Sequence, residues 1–130
     1  MIKRLLQTGA ALASLAVTSL MSASPASADS TLSLWNSDHV YRYGTAHFAS
    51  YGEIFEACDT WGGNGEGISV DWYVVSNPSN HGEAYDTSGA DGKCATSNGN
   101  IAEGRQIAYR ICRRDNGAYV FCSGYYHDYA

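Results

Sequence analysis

Apolar and polar residues alternate at a spacing of two through most of the chain beyond residue 30, and short runs of glycine and small polar residues interrupt them. That is the pattern of strands and turns. Thr31 to Trp35 sets Leu32 and Leu34 on one face. From His39 to Tyr51 the alternation puts Tyr41, Tyr43, Thr45 and His47 on one side and Val40, Ala46 and Phe48 on the other, with Gly44 marking a bend or bulge. Glu53 to Thr60 follows. Ile68 to Ser76 turns Ile68, Val70, Trp72 and Val74 inward against Asp71 and Tyr73, and the glycine-rich segment Trp61 to Gly67 between these runs is expected as a flexible hairpin loop.

The polar stretch Asn77 to Gly92 reads as a long loop with at most one short strand near Glu83 to Tyr85, and Lys93 to Thr96 resumes extended structure. Arg105 to Arg113 turns Ile107, Tyr109 and Ile111 inward and Arg110 outward. Asn116-Gly117 is a hairpin signal, and Tyr119 to Ser123 returns from it. Trp72, Tyr109 and Phe121 are the aromatic core candidates. No segment after residue 30 has a helical apolar period of ordinary length. The expected fold is all-β: a small two-sheet antiparallel sandwich of about seven strands, immunoglobulin-like in size.

The first residues follow a different rule. Lys3 and Arg4 precede an uncharged apolar run from Leu5 to Met21, and Ala26 and Ala28 then occupy the small-residue positions of a signal-peptidase site. Residues 1–28 are therefore expected as a signal peptide and 29–130 as one secreted domain, extracellular and free of the membrane once the leader is gone. Gln7, Thr8, Gly9 and several serines make the run a poor membrane anchor. Removing Lys3 and Arg4 leaves six basic residues against thirteen acidic ones, a net charge of −7. Nucleic acid is an unsuitable partner for such a surface, because its affinity rests on cations that neutralise phosphates.

Cys58, Cys94, Cys112 and Cys122 are an even set in a chain bound for an oxidising space, so two disulfides are expected. Three pairings are formally open. The Asn116-Gly117 hairpin favours Cys112 with Cys122, which leaves Cys58 for Cys94. No Cys-x-x-Cys or Cys-x-x-His spacing suggests zinc. His39 and His47 share a strand face, but eight residues at about 3.3 Å each hold them roughly 26 Å apart, too far to share an ion. Asp59, Asp86 and Asp91 lack the ligand spacing of a calcium loop. No cofactor is expected.

Nucleophile elbows, zinc-protease helices and phosphate loops are absent, so an enzyme is not expected. The aromatic content points to binding instead, since ten tyrosines and three tryptophans exceed what a small core can absorb. Trp35, Tyr41, Arg42, Tyr43, Tyr125 and Tyr126 are the candidate partner-binding residues, because neighbours on a strand point to opposite faces and cannot all be buried. Another secreted protein is the expected partner. The uncysteined segment Asp29 to Tyr43 would serve as a docking strand if it forms a sheet edge.

Tyr51-Gly52-Glu53-Ile54-Phe55-Glu56-Ala57-Cys58-Asp59-Thr60, Cys94, Ala102-Glu103-Gly104, Tyr109-Arg110-Ile111-Cys112 and Cys122-Ser123-Gly124 together resemble small secreted two-disulfide proteins of actinobacteria. Some of these are similar to adaptor subunits of secreted toxin particles, and that resemblance implies a connecting role. Tyr41-Arg42-Tyr43 also resembles the Trp-Arg-Tyr motif of the small actinobacterial α-amylase inhibitors, which implies hydrolase inhibition as the alternative. Here the first cysteine, Cys58, follows the motif, whereas that family encloses the motif in a short disulfide loop.

The extracellular polypeptide is expected to begin at Asp29 and to carry both disulfides. Intact-mass measurement of the secreted protein, before and after reduction, checks both; a species retaining Leu5 to Met21 would contradict the leader assignment.

Overall fold

A computed structural model describes residues 29–61 and 65–130, so the expected leader at 1–28 and the centre of the glycine-rich loop lie outside the described residues. Those described contain nine strands and no helix: β1 (Ser30–Trp35), β2 (Arg42–Ala49), β3 (Ile54–Asp59), β4 (Glu66–Val74), β5 (Asn77–Asp86), β6 (Ala95–Asn98), β7 (Gln106–Asp115), β8 (Ala118–Cys122) and β9 (Tyr126–Tyr129). They form two antiparallel sheets. One runs β1-β2-β3-β6 and the other β5-β4-β7-β8, with β9 also pairing β7. The expected all-β two-sheet sandwich is what the chain forms.

Period-two patterning drives the assembly. Phe48 and Phe55 from the first sheet meet Trp72 and Tyr109 from the second, all buried. Phe55 lies parallel to Trp72 with ring centroids 4.8 Å apart, and Phe48 stacks on Phe55 at 4.7 Å. Of the expected core aromatics, Trp72 and Tyr109 are inside. Phe121 is not: it is 59% exposed. It pairs opposite Arg113 on the core-facing side of its sheet, but β8 is an edge strand, and there the ring overhangs the packed interior.

The expected loop at Asn77 to Gly92 is half strand. Residues Asn77–Asp86 are paired along β4 as an edge strand, which explains the polar sequence: among the described residues no strand covers the outer edge. Pro78 falls where the register shifts between Tyr73 and Val74, a bulge that tolerates its missing N–H. Gly82 is required because a Cβ would stand 2.6 Å from the Trp72 ring. β9 has no counterpart among the expected strands. It exists because β7, ten residues long, has room beside β8 for a second short partner. Between the two, the Ser123 hydroxyl accepts the Ile111 N–H at 3.1 Å and the Ser123 N–H donates to the Ile111 carbonyl at 2.9 Å, so β7 keeps its bonds across the break.

The early start expected for the second strand is corrected: residues 36–41 form the β1–β2 turn. The Asn36 side-chain oxygen accepts the N–H groups of Val40 and Tyr41, and His39 adopts φ 55°. A bulge follows, since Leu34 opposes Gly44 but Trp35 opposes Arg42. Gly44 is needed there, because a Cβ would stand 2.6 Å from the Cys58 carbonyl oxygen.

Asn116 and Gly117 take φ of 47° and 82°, the double left-handed turn of a tight hairpin, and Cys112 faces Cys122 in register. The disulfides are Cys112–Cys122 and Cys58–Cys94. Each joins neighbouring strands of one sheet, Cys94 continuing the pairing of Ala57 with Ala95. Their sequence separations are 36 for Cys58–Cys94 and 10 for Cys112–Cys122. Replacing Cys58 and Cys94 together by alanine is thus expected to lower unfolding free energy by about 1 kcal/mol more than replacing Cys112 and Cys122, from the loop-entropy difference. Denaturant titration of the two double variants checks this.

Candidate partner-binding site

At one end of the sandwich the buried core gives way to aromatics that are only partly covered. The β2 bulge makes Tyr43 an extra residue and turns its ring away from the Thr45 and His47 face expected from alternation. Tyr43 instead packs against the end of the core, with the Arg113 guanidinium 4.5 Å from its ring centre. Trp61 lies beside it at 4.7 Å, and Tyr41 stacks on Trp61 at 5.6 Å with the rings 6° from parallel. Across from this stack, Trp35 on edge strand β1 and Val120 and Phe121 on edge strand β8 border an open groove of about 410 Å³ that Tyr43 also lines.

Trp61 is held by a polar scaffold. Its N–H donates to Asp59 Oδ1 at 2.9 Å, while the N–H of Asp59 donates to Asp86 Oδ2 at 2.8 Å. Thr60 donates its N–H to the Tyr43 carbonyl and its hydroxyl to the Arg42 carbonyl. The bond from Asp59 to Asp86 crosses from one sheet to the other. Arg113, under Tyr43, pairs with Glu66 at 2.9 Å. Asp59 is therefore buried near two other carboxylates. Desolvation raises its pKa above the ordinary value; the Trp61 N–H opposes that rise, and the charges of Asp86 and Glu66 add to it.

The six residues expected to bind a partner do not form one surface. Trp35, Tyr41 and Tyr43 come together at the rim. Arg42 sits in β2 opposite Trp35, its carbonyl engaged by Thr60. Tyr125 lies on the outer face of the five-stranded sheet, edge-on to Tyr73 at 5.2 Å and with the Arg110 guanidinium 4.9 Å from its ring. Tyr126, one residue on, packs edge-on to Tyr109 at 5.9 Å. Sequence reasoning missed Trp61, treated as part of a glycine turn, and placed Phe121 in the core. The signal for Trp61 was a large aromatic directly after a strand end, with no alternating partner.

β1 is an edge strand, as its docking role would need, but it is not loosely held. Leu34 is buried in the core. The Ser30 hydroxyl contacts the Tyr109 hydroxyl at 2.7 Å and donates to Asp128 at 2.5 Å, tying β1 to the opposite sheet. Its outer edge is available; its removal would open the core.

Among the described residues the one grouping of three metal-type ligand atoms is Glu56, Cys58 and Cys94. Its two sulfurs are bonded to each other and offer no thiolate. No protein-family model matches the chain, and no curated protein or solved structure matches it either.

A carboxyl with a raised folded pKa weakens folding while it is charged, and that penalty fades as pH falls through the folded value. Asp59→Asn keeps an oxygen for the Trp61 N–H and removes the charge. It is expected to raise Tm at neutral pH and to flatten the change in stability on mild acidification. Thermal denaturation across that range checks it, and a lower neutral Tm would contradict it.

Proposed function

We propose that the protein is a secreted, non-enzymatic binding module that connects other extracellular proteins, with the aromatic rim as its docking surface. The observation carrying this reading is the rim itself. Trp35, Val40, Tyr41, Trp61, Val120 and Phe121 are between 37% and 64% exposed, and contacts through Tyr43 and the groove join five of them into one patch. Large exposed apolar patches on small proteins mark interaction sites, and tryptophan and tyrosine dominate binding energetics.

The partner this surface suits is a protein offering an extended apolar strand with basic flanks. β1 and β8 border the groove as edge strands, and their outer backbone groups can accept a further strand. Basic flanks complement a chain that carries −7 after loss of the leader. β8 favours such addition because Ala118 to Cys122 contains neither a charge nor a proline to discourage pairing.

Tagged mature protein is recovered from its own culture supernatant, the co-eluting protein identified by mass spectrometry, and its affinity measured with purified components. Trp61→Ala combined with Phe121→Ala is expected to weaken that affinity by about thirtyfold or more, the scale of losing a binding hot spot, with Tm nearly unchanged. Unaltered affinity in the double variant would overturn the assignment. A captured hydrolase whose activity falls on binding would favour inhibition over connection.

A further inference from the structure

The five-stranded sheet has a second face, turned away from the core, which the rim does not use. There Tyr85, Arg114, Tyr119, Arg110 and Tyr125 alternate ring and guanidinium in a continuous row. The Arg114 guanidinium is 4.4 Å from the Tyr85 ring and 4.5 Å from Tyr119, and Arg110 is 5.6 Å from Tyr119 and 4.9 Å from Tyr125. Carboxylates fix the row from beneath. Arg110 pairs with Asp71 at 3.1 Å and Arg114 pairs with Glu83. The Tyr119 hydroxyl donates to Asp71 at 3.0 Å and lies 3.2 Å from Glu83. Burial, with those carboxylates, pushes that phenol up to about 12, so it remains a donor.

Beside this row an open basin of about 610 Å³ is bordered by Asp71, Tyr73, His81, Glu83, Tyr119 and Tyr125. The β5 bulge carrying Pro78 forms its far wall. Tyr73 and Tyr125 meet at 74°, so they present apolar surface in two directions.

Charge limits what the basin can hold. Asp71 and Glu83 are each matched by an arginine, so the charges balance and no net field favours either a cation or an anion. A neutral ligand is favoured. The polar groups that border the basin both donate and accept: the His81 imidazole and the Tyr119 hydroxyl stand beside the carboxylates of Asp71 and Glu83. Tyrosine rings set among carboxylate, imidazole and guanidinium groups complement a molecule that carries hydroxyls around apolar C–H faces. We propose that the basin binds a neutral saccharide, one or two rings of an extracellular glycan, against Tyr73 and Tyr125, with hydroxyls to His81 and the carboxylates.

The mature protein is titrated with cellohexaose, chitohexaose and maltohexaose, and with tetramethylammonium chloride as a cationic probe, while amide NMR shifts are followed. At least one oligosaccharide is expected to bind saturably, with shifts centred on Tyr73, His81 and Tyr125. Tyr125→Ala and His81→Ala should each weaken that binding, the tyrosine by about tenfold, the scale of one aromatic contact. The Trp61→Ala and Phe121→Ala double variant should bind the sugar as the parent does, which separates this site from the rim. Failure of all three sugars to saturate, tighter binding of tetramethylammonium, or full affinity in folded Tyr125→Ala and His81→Ala would each overturn the proposal.

Discussion

The stack of Phe48, Phe55, Trp72 and Tyr109 is the contact on which the rest of the molecule depends, because no disulfide crosses between the sheets. Cys58–Cys94 and Cys112–Cys122 each tie neighbours within one sheet, so they stiffen the two layers without joining them. Joining is left to apolar burial, helped at the margins by polar ties between layers. These are Trp72 Nε1 to Ser97 at 3.0 Å, Asp59 N–H to Asp86, and Ser30 with Tyr109 and Asp128. Each buried aromatic contributes on the order of 2–3 kcal/mol from area alone. In a domain of this size a few such side chains are a large share of net stability.

The rim follows from where that stack ends. Beyond Tyr43 the sheets have no further pair of large side chains to place between them. The mouth is closed instead by Arg113, paired with Glu66 and covered by the Tyr43 ring. A guanidinium can lie under an aromatic ring and still reach a carboxylate, so it finishes the core without burying an unpaired charge. The aromatics further out, Trp61 and Tyr41, can then stack on a firm base. Asp59 pays for this arrangement, since holding the Trp61 N–H keeps its carboxylate near Asp86 and Glu66.

Features set by local chemistry were legible in the sequence. Asn116-Gly117 predicts a turn because both residues tolerate positive φ, and that turn fixed the register of Cys112 and Cys122. The inward sets of β4 and β7 were legible because both faces of the alternation were clear. Features set by position in the sheet were not. β5 looks like a loop because an edge strand can be polar, and nothing local reveals that Gly82 makes room for Trp72. Alternation gave Phe121 its face, yet only the extent of the opposite sheet decides whether that face is covered. The bulge at Tyr43 turned its side chain from the Thr45 and His47 face and brought it to Trp61 and Tyr41 instead. Tyr125 and Tyr126 were separated by the alternation that first marked them as exposed.

β8 lies between the two surfaces and sets how they relate. Its Phe121 and Val120 border the rim, while Tyr119 reaches the opposite face, where it bonds Asp71 and Glu83. Movement of β8 would therefore disturb both. That strand is restrained at one end by the Cys112–Cys122 bond and at the other by the Asn116-Gly117 turn, where Arg114 also bonds the Gly117 carbonyl at 2.7 Å. A strand held at both ends presents its alternating side chains as fixed features. Occupancy of one face then has little structural means of altering the other. Were both proposed surfaces to be used, that restraint would let a protein at the rim and a saccharide on the sheet be held at once, because the two faces share β8 without sharing a side chain.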